Sequence, residues 1–367
     1  MDAGLTIILV CSLVAASGAL LGPFLLLRRM SLMTDAISHS ILLGIVVGFL
    51  LFNSTDSLPM ILAAGAVGLL TVWLTELIFK TGLVKEDAAI GLVFPALFSI
   101  GVILITRLLS DIHIDIDTAL VGEVIWAPFD TVTVGGFEIS RALLIGGGLL
   151  LVNALFVGLF YKELKLVTFD AGLATSLGFS ATFLTYALMT LVSVTAVGAF
   201  DAVGAVLLVG FMIVPAATAY LLTDRLSRLI PIALLVGVLG CVIGYFVAIE
   251  IDASISGTMV TILGLIFILT LILAPERGLL AGWLRRRRQK WEFAARLLLI
   301  HIMNHENTAE AKEENAVASV AEHLNWLPQY AHSIMAQAEH HGWLGTDGDL
   351  LELTESGRAL AQQTLAV

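Results

Sequence analysis

Nine stretches of this chain are each apolar enough and long enough to cross a lipid bilayer. They fall near 4–27, 36–52, 58–79, 88–108, 140–160, 180–199, 203–222, 229–249 and 257–274. A spanning helix needs roughly 20 apolar residues. In lipid every backbone N–H and C=O must be satisfied within the protein, which a helix does internally. Only 13% of the 367 residues are charged, against about 25% in a soluble domain. The expected fold is an all-α polytopic membrane protein, residues 1–280, followed by a different kind of chain. The runs at 36–52 and 203–222 are the ones expected to be broken or partly re-entrant.

Charge tests this layout. Taken alternately, one set of loops holds Arg28 and Arg29, Lys80 and Lys85, Lys162 and Lys165, Arg225 and Arg228, then Arg285 to Arg288. The other set is acidic, from Asp56 through Asp111, Asp130 and Asp201 to Asp252, with Arg107 and Arg141 only at helix ends. Cytoplasmic loops carry the excess of Lys and Arg. The split therefore predicts an N-terminus outside and a C-terminus in the cytoplasm, and one span more or fewer would break it. Residues 1–27 lack a basic leader and have Arg28-Arg29 after the apolar run, so they read as the first span. Cys11 and Cys241 lie singly in apolar runs and read as small buried side chains.

Within this apolar background, Asp35 and His39 stand four residues apart in Met33–Gly48. Positions i and i+4 share a helix face. Ionisable groups at membrane depth are costly and usually face a bundle interior or a water-filled path. Beside them runs a stripe of small residues, Ala36, Ser40, Gly44 and Gly48, the spacing that lets helix backbones approach closely. A carboxylate and an imidazole suit a divalent cation, and a buried Asp–His contact holding the bundle together is the structural alternative. Three further stretches carry chemistry. Asp111, His113, Asp115 and Asp117 alternate with isoleucines in an outer loop. A solvated loop and a metal-collecting or partner-docking surface both fit them. Asp201 sits at an outer helix end, as a cap or as an entry ligand. In Val203–Tyr220, Pro215 removes a backbone donor and bends the helix, with Ala216 and Ala217 beside it for close packing.

Asp-Ala-Ile-Ser-His-Ser-Ile-Leu-Leu-Gly, residues 35–44, resembles the signature of the zinc/manganese/iron-type ABC importer permeases. Pro-Ala-Ala-Thr-Ala, residues 215–219, resembles another segment of that family. Between them, Phe169, Asp170, Ala174 and Gly178 have the spacing of its coupling segment, a short cytoplasmic helix that docks in a cleft of the ATPase. Asp170 can cap that helix and Gly178 can end it. The resemblance implies a permease subunit that moves a divalent transition metal across the bacterial cytoplasmic membrane. Asp35 and His39 would be ligands on the path. Its partners would be ABC ATPase subunits, a second permease chain, identical or related, and an extracytoplasmic metal-binding protein. No cofactor is expected to be bound permanently, the metal being cargo. No Gly-Lys pair occurs anywhere, so there is no phosphate-binding loop. ATP hydrolysis is expected on a separate chain, and this chain is not expected to be an enzyme. Asp with His and no thiolate accepts manganese, iron(II) or zinc, and manganese is favoured. An ion-coupled secondary metal transporter or a membrane-bound metal sensor is the alternative.

Residues 281–290 read as a basic anchor at the membrane surface, against anionic lipid. Beyond it, residues 291–367 have the composition of a soluble domain. Helices are expected at 291–305, 316–325, 328–341 and 355–366, with a hairpin signal at Asp347-Gly348. That order makes a small α+β winged-helix-like cytoplasmic domain, a tail that some members of the family carry. Nucleic-acid binding is not expected. The segment 291–367 has three basic and eleven acidic side chains, and its expected reading helix has no Lys or Arg. Six of the eight histidines are here, with His301 and His305 on one helix face. Scattered surface histidines and a regulatory metal site are both open readings.

Overall fold

The computed structural model describes residues 2–52, 57–108, 122, 124–308 and 311–365. They divide into two compact units, Met1–Gly278 and Leu279–Val367. The first contains α1 (Ala3–Leu27), α2 (Ser31–Phe52), α3 (Ser57–Lys80) and α4 (Glu86–Leu108). After a 3₁₀ turn (Val124–Trp126) come the strands β1 (Thr131–Val134) and β2 (Phe137–Ser140). Then follow α5 (Arg141–Leu159), α6 (Tyr161–Phe169), α7 (Ala171–Ser176), α8 (Ala181–Leu222), α9 (Leu226–Glu250) and α10 (Ile255–Leu273). Among the described residues nine segments are long and apolar enough to span a membrane, because α8 supplies two, Ala181–Phe200 and Ala202–Leu222. Its backbone leaves the helical region at Gly204 (φ 74°, ψ 167°), a conformation open essentially to glycine. Gly122, also at positive φ, backs onto this break, where a Cβ would run into the Val203–Gly204 peptide. The expected interruption of 203–222 is thus at its beginning. The 36–52 run, by contrast, is one unbroken helix that starts earlier, at Ser31.

α1, α2 and α8 form the interior. Phe24, Leu21, Ile37, Ile41, Leu188, Phe211 and Met212 are fully buried there. α1 packs against α8, α9 and α5, and α2 against α3, α4 and α8. Glycine makes the closest approach possible, since a Cβ at Gly22 would strike the Met212 carbonyl. A polar link joins three helices in the interior. Asn153 of α5 donates to Ser17 Oγ of α1 at 2.7 Å and to Thr195 Oγ1 of α8 at 2.8 Å. Such links hold membrane helices together at about 0.6–2 kcal/mol each.

Two of the basic segments reach neighbouring helix ends. Arg28, in the α1–α2 turn, donates to Thr185 at the start of α8. Arg277 donates to the Tyr220 carbonyl at 3.2 Å and pairs with Asp224 in the α8–α9 turn. Away from them, Gly4 abuts Tyr245 near the end of α9, and the 3₁₀ turn packs on α1 and α10. β1 and β2 form a hairpin in which Val134 faces Phe137 across Gly135-Gly136, both at positive φ. That is the geometry a two-residue type I′ turn requires.

The second unit has α11 (Leu279–His305), α12 (Ala311–Glu314), α13 (Val320–His323) and α14 (Pro328–His340). The strands β3 (Leu344–Asp347) and β4 (Leu350–Leu353) and the helix α15 (Glu355–Leu365) complete it. It has its own core, from Ala295, Leu298, Leu299 and Ile302 of α11, Ile334 and Ala338 of α14, Leu344, Leu351 and Ala361. The basic segment 285–290 is the first half of α11, continuous with the amphipathic half that follows. The helix expected over 316–325 is only one turn long. Ala316 instead bridges to Leu350, and the Leu351 N–H donates to the Asn315 carbonyl at 3.0 Å, so this backbone adds to the hairpin.

Candidate metal site on the second helix

α2 is packed on almost every side. From Met33 to Gly44 only Asp35 and His39 are not buried. The small-residue stripe explains why. Gly44 lies on the Ala64 backbone with no room for a Cβ, and Thr71 Oγ1 donates to Ser40 Oγ at 2.8 Å. Ser38 returns its hydroxyl to the Thr34 carbonyl at 2.9 Å. The remaining face presents the two ionisable side chains, with His39 33% and Asp35 43% exposed.

His39 Nε2 and Asp35 Oδ1 are 3.5 Å apart. That is longer than a good hydrogen bond. With metal–ligand bonds of about 2.0–2.2 Å, two atoms at that spacing fit adjacent positions in one coordination shell. The imidazole is steadied from α4. It stacks on Phe94 (centroids 5.7 Å, planes 27° apart) and meets Phe98 edge-on (6.1 Å, 83°). Phe94 and Phe98 are themselves four apart on α4, a spacing visible in the sequence but not connected there to His39. Two donors from one helix would make only part of an ion's coordination shell.

The segment expected to couple to an ATPase is built from its motif residues. Asp170 Oδ1 caps α7 by accepting the Leu173 N–H at 2.8 Å. Gly178, at φ +89°, ends it, with Gly178 N–H bonded to the Thr175 carbonyl and Phe179 N–H to that of Ala174, both at 3.0 Å. This is the Schellman arrangement of a glycine stop. Ala174 does not face outward. It is fully buried against Val167 and Leu184, so its small size lets α7 fold back on α6 and α8. The large apolar side chains exposed over 168–178 are Phe169, Leu173 and Leu177, and the last two are absent from the sequence-derived set.

The other candidates lie apart. Ala216 is buried beside Gly22, Pro215 approaches Gly237, Ala217 is half-buried and Gly48 is buried, so these serve packing. Asp201 belongs to α8, but its side chain lies outside the described residues, as do Asp111, His113, Asp115 and Asp117.

The ABC 3 transport family model matches residues 3–274. The chain belongs to the ABC 3 transport family. It is 42% identical over 361 residues to the zinc transport system membrane protein TroD of Treponema pallidum, covering 98% of each chain. It is also 42% identical over 283 residues to the manganese transport system membrane protein MntD of Bacillus subtilis, covering 77% of this chain and 96% of that one. Among solved structures, PsaBC from Streptococcus pneumoniae in complex with Fab superposes with a TM-score of 0.63 at 28% identity, covering 76% of this chain and 94% of that one. The family suggested by residues 35–44 is therefore the family found, and its model ends before the tail. A zinc and a manganese transport protein thus match this ABC 3 chain at the same identity, the first over more of its length.

Proposed function

We propose that this ABC 3 chain is the permease subunit of an importer for a divalent transition metal, with manganese as the favoured cargo. One observation carries the reading. In the buried stretch Met33–Gly44 of a membrane helix, an aspartate and a histidine are the two side chains left accessible, spaced to share one ion. Asp with His and no thiolate suits manganese, iron(II) and zinc. The names of the relatives support the transition metals as a class.

In this reading His39, in its neutral form, and Asp35 take the ion transiently, and a second permease chain or water completes its shell. ATP is hydrolysed by a separate subunit, which docks on the α7 corner through Phe169, Leu173 and Leu177. Asp170, Ala174 and Gly178 hold that corner in shape. An extracytoplasmic metal-binding protein delivers the ion at the opposite end. The alternation of basic loops supports a C-terminal unit in the cytoplasm and an N-terminus outside the bacterial inner membrane. The test is metal uptake by cells expressing the full transporter, with each metal supplied alone. Manganese uptake that disappears in the Asp35→Asn variant supports the reading. Zinc uptake without manganese uptake overturns the metal preference, and uptake without any ATPase subunit overturns the importer.

A further inference from the structure

The C-terminal unit brings together histidines that the sequence leaves scattered. His301 and His305 lie one turn apart at the end of α11, their rings 4.9 Å between centroids. Glu314, the last residue of α12, faces them, and His323, the last residue of α13, closes the group. Glu314 Oε2 is 3.0 Å from His323 Nδ1 and 3.7 Å from His301 Nε2. One donor atom from each of His301, His305 and Glu314 lies within 4.8 Å of the others. His301 and Glu314 are only 12% and 23% exposed. His301 Nε2 also lies 3.1 Å from the Glu314 carbonyl. A second observation concerns a member of this group. His305 Nδ1 is buried and has no hydrogen-bond partner among the described residues. Leaving a buried polar atom unmet costs about 1–3 kcal/mol, unless something else takes its lone pair.

We propose that His301, His305, His323 and Glu314 form a binding site for a divalent first-row transition metal. Three imidazoles and a carboxylate are borderline ligands that suit zinc, iron(II) or manganese and not copper(I). Tetrahedral zinc places its ligand atoms about 3.3–3.5 Å apart. The separations of 3.0 and 3.7 Å bracket that figure, with His301, His305 and Glu314 as the compact group and His323 reaching it through Glu314. The ligands come from three elements, so the ion ties α12 and α13 to α11. The same connection holds Asn315, which donates to the Ile302 carbonyl at 3.3 Å and accepts from Leu351 of β4. Occupancy therefore stiffens the join between α11 and the hairpin. Resting on the importer reading, the site would fill with the imported metal on its receiving side, so its occupancy reports on cargo already delivered.

The test uses the full-length protein in detergent, with a tag free of histidine. It carries Asp35→Asn and His39→Gln, so that α2 contributes no metal. Zinc is the probe. After equilibrium dialysis, elemental analysis should find about one zinc per chain, the occupancy of a single closed site. His305→Gln or Glu314→Gln should lose it. His332→Gln, on α14 outside the group, should keep it. Amide exchange in 311–323 should slow with zinc in the parent and not in the two losing variants. Zinc retained equally by the parent and both cluster variants overturns the proposal, as does no retention by the parent or loss in His332→Gln. Normal metal uptake by the Asp35→Asn, His39→Gln background would reduce the α2 pair to a structural contact, and uptake without any ATPase subunit would overturn the importer reading; either result leaves the tail site standing.

Discussion

The Asp35–His39 pair and the histidine cluster of the tail draw on the same ligand types and differ in how many elements supply them. The pair comes from one helix. It offers two donors, a third or more exposed, and α2 is held in place by Gly44, Ser40 and Thr71 whether or not an ion is bound. The cluster takes four donors from three elements, two of them single helical turns. Filling it changes how those turns are held. The first arrangement suits an ion that must leave. The second suits an ion that stays and alters the protein around it.

The largest expected effect breaks the first half of that contrast. Asp35→Asn removes charge and keeps size, while His39→Gln removes the imidazole and keeps polarity. Each should lower metal uptake by at least about tenfold, the low end for disturbing even the outer shell of a metal site. Membrane abundance, ATPase co-purification and ATP hydrolysis should persist, because neither side chain packs the interior. Uptake at the normal rate in both variants would reduce the pair to a structural contact.

Gly44→Val probes the other face of the same helix. Its added carbons meet the Ala64 backbone, which cannot move aside as a side chain can. Overpacking costs about 1–3 kcal/mol. The expected result is less folded protein in the membrane fraction, with whatever remains still taking up metal. Full abundance would mean that α2 and α3 separate readily, and that the pair does not rest on a fixed helix.

Much of this was legible in the sequence because the bilayer imposes it. Span length, the alternation of charge and the i, i+4 pair follow from fixed dimensions. What escaped depends on contacts between distant residues. Asn153 gives no sign in its own helix that Ser17 and Thr195 will meet it. Glu314 and His323 join His301 only after the tail has folded. The stretch 316–325 has a helical composition, yet Asn315 and Ala316 are drawn to β4, leaving one turn. The Gly135-Gly136 hairpin carries a local signal, two glycines between alternating residues, weaker than the span lengths around it. Ala174 shows the limit of motif spacing. The pattern located the α7 corner and not which of its side chains faces out.

That corner gives the next prediction. Leu173→Arg changes an exposed position and leaves the cap and the glycine stop intact. It should weaken ATPase co-purification and uptake together. Ala174→Glu acts differently, by forcing a carboxylate between Val167 and Leu184, where burying an unpaired charge is costly. It should displace α7 and uncouple uptake from ATP hydrolysis even where the ATPase still binds. If Leu173→Arg leaves both co-purification and uptake untouched, residues 168–178 only connect α6 to α8.

The smallest effect is expected from removing the second unit. Deleting 291–367 retains α1 to α10 and the basic residues Arg285 to Arg288 and Lys290. The helices of the first unit share a core built within that unit, and the family model ends at residue 274. The Bacillus subtilis relative matches 77% of this chain over 96% of its own length. A protein of this kind therefore exists without a comparable extension. Membrane abundance should stay close to that of the full chain, and metal uptake should continue. What should change is its response to metal already inside the cell, since the cluster that would sense it is gone. Uptake that slows in metal-loaded cells with the full chain should slow less with the truncated one. If both respond alike, the cluster binds no regulatory ion in the cell. If the truncated chain fails to reach the membrane, the two units fold interdependently, and the contrast between a site that releases and a site that retains cannot be assigned to separate parts of the chain.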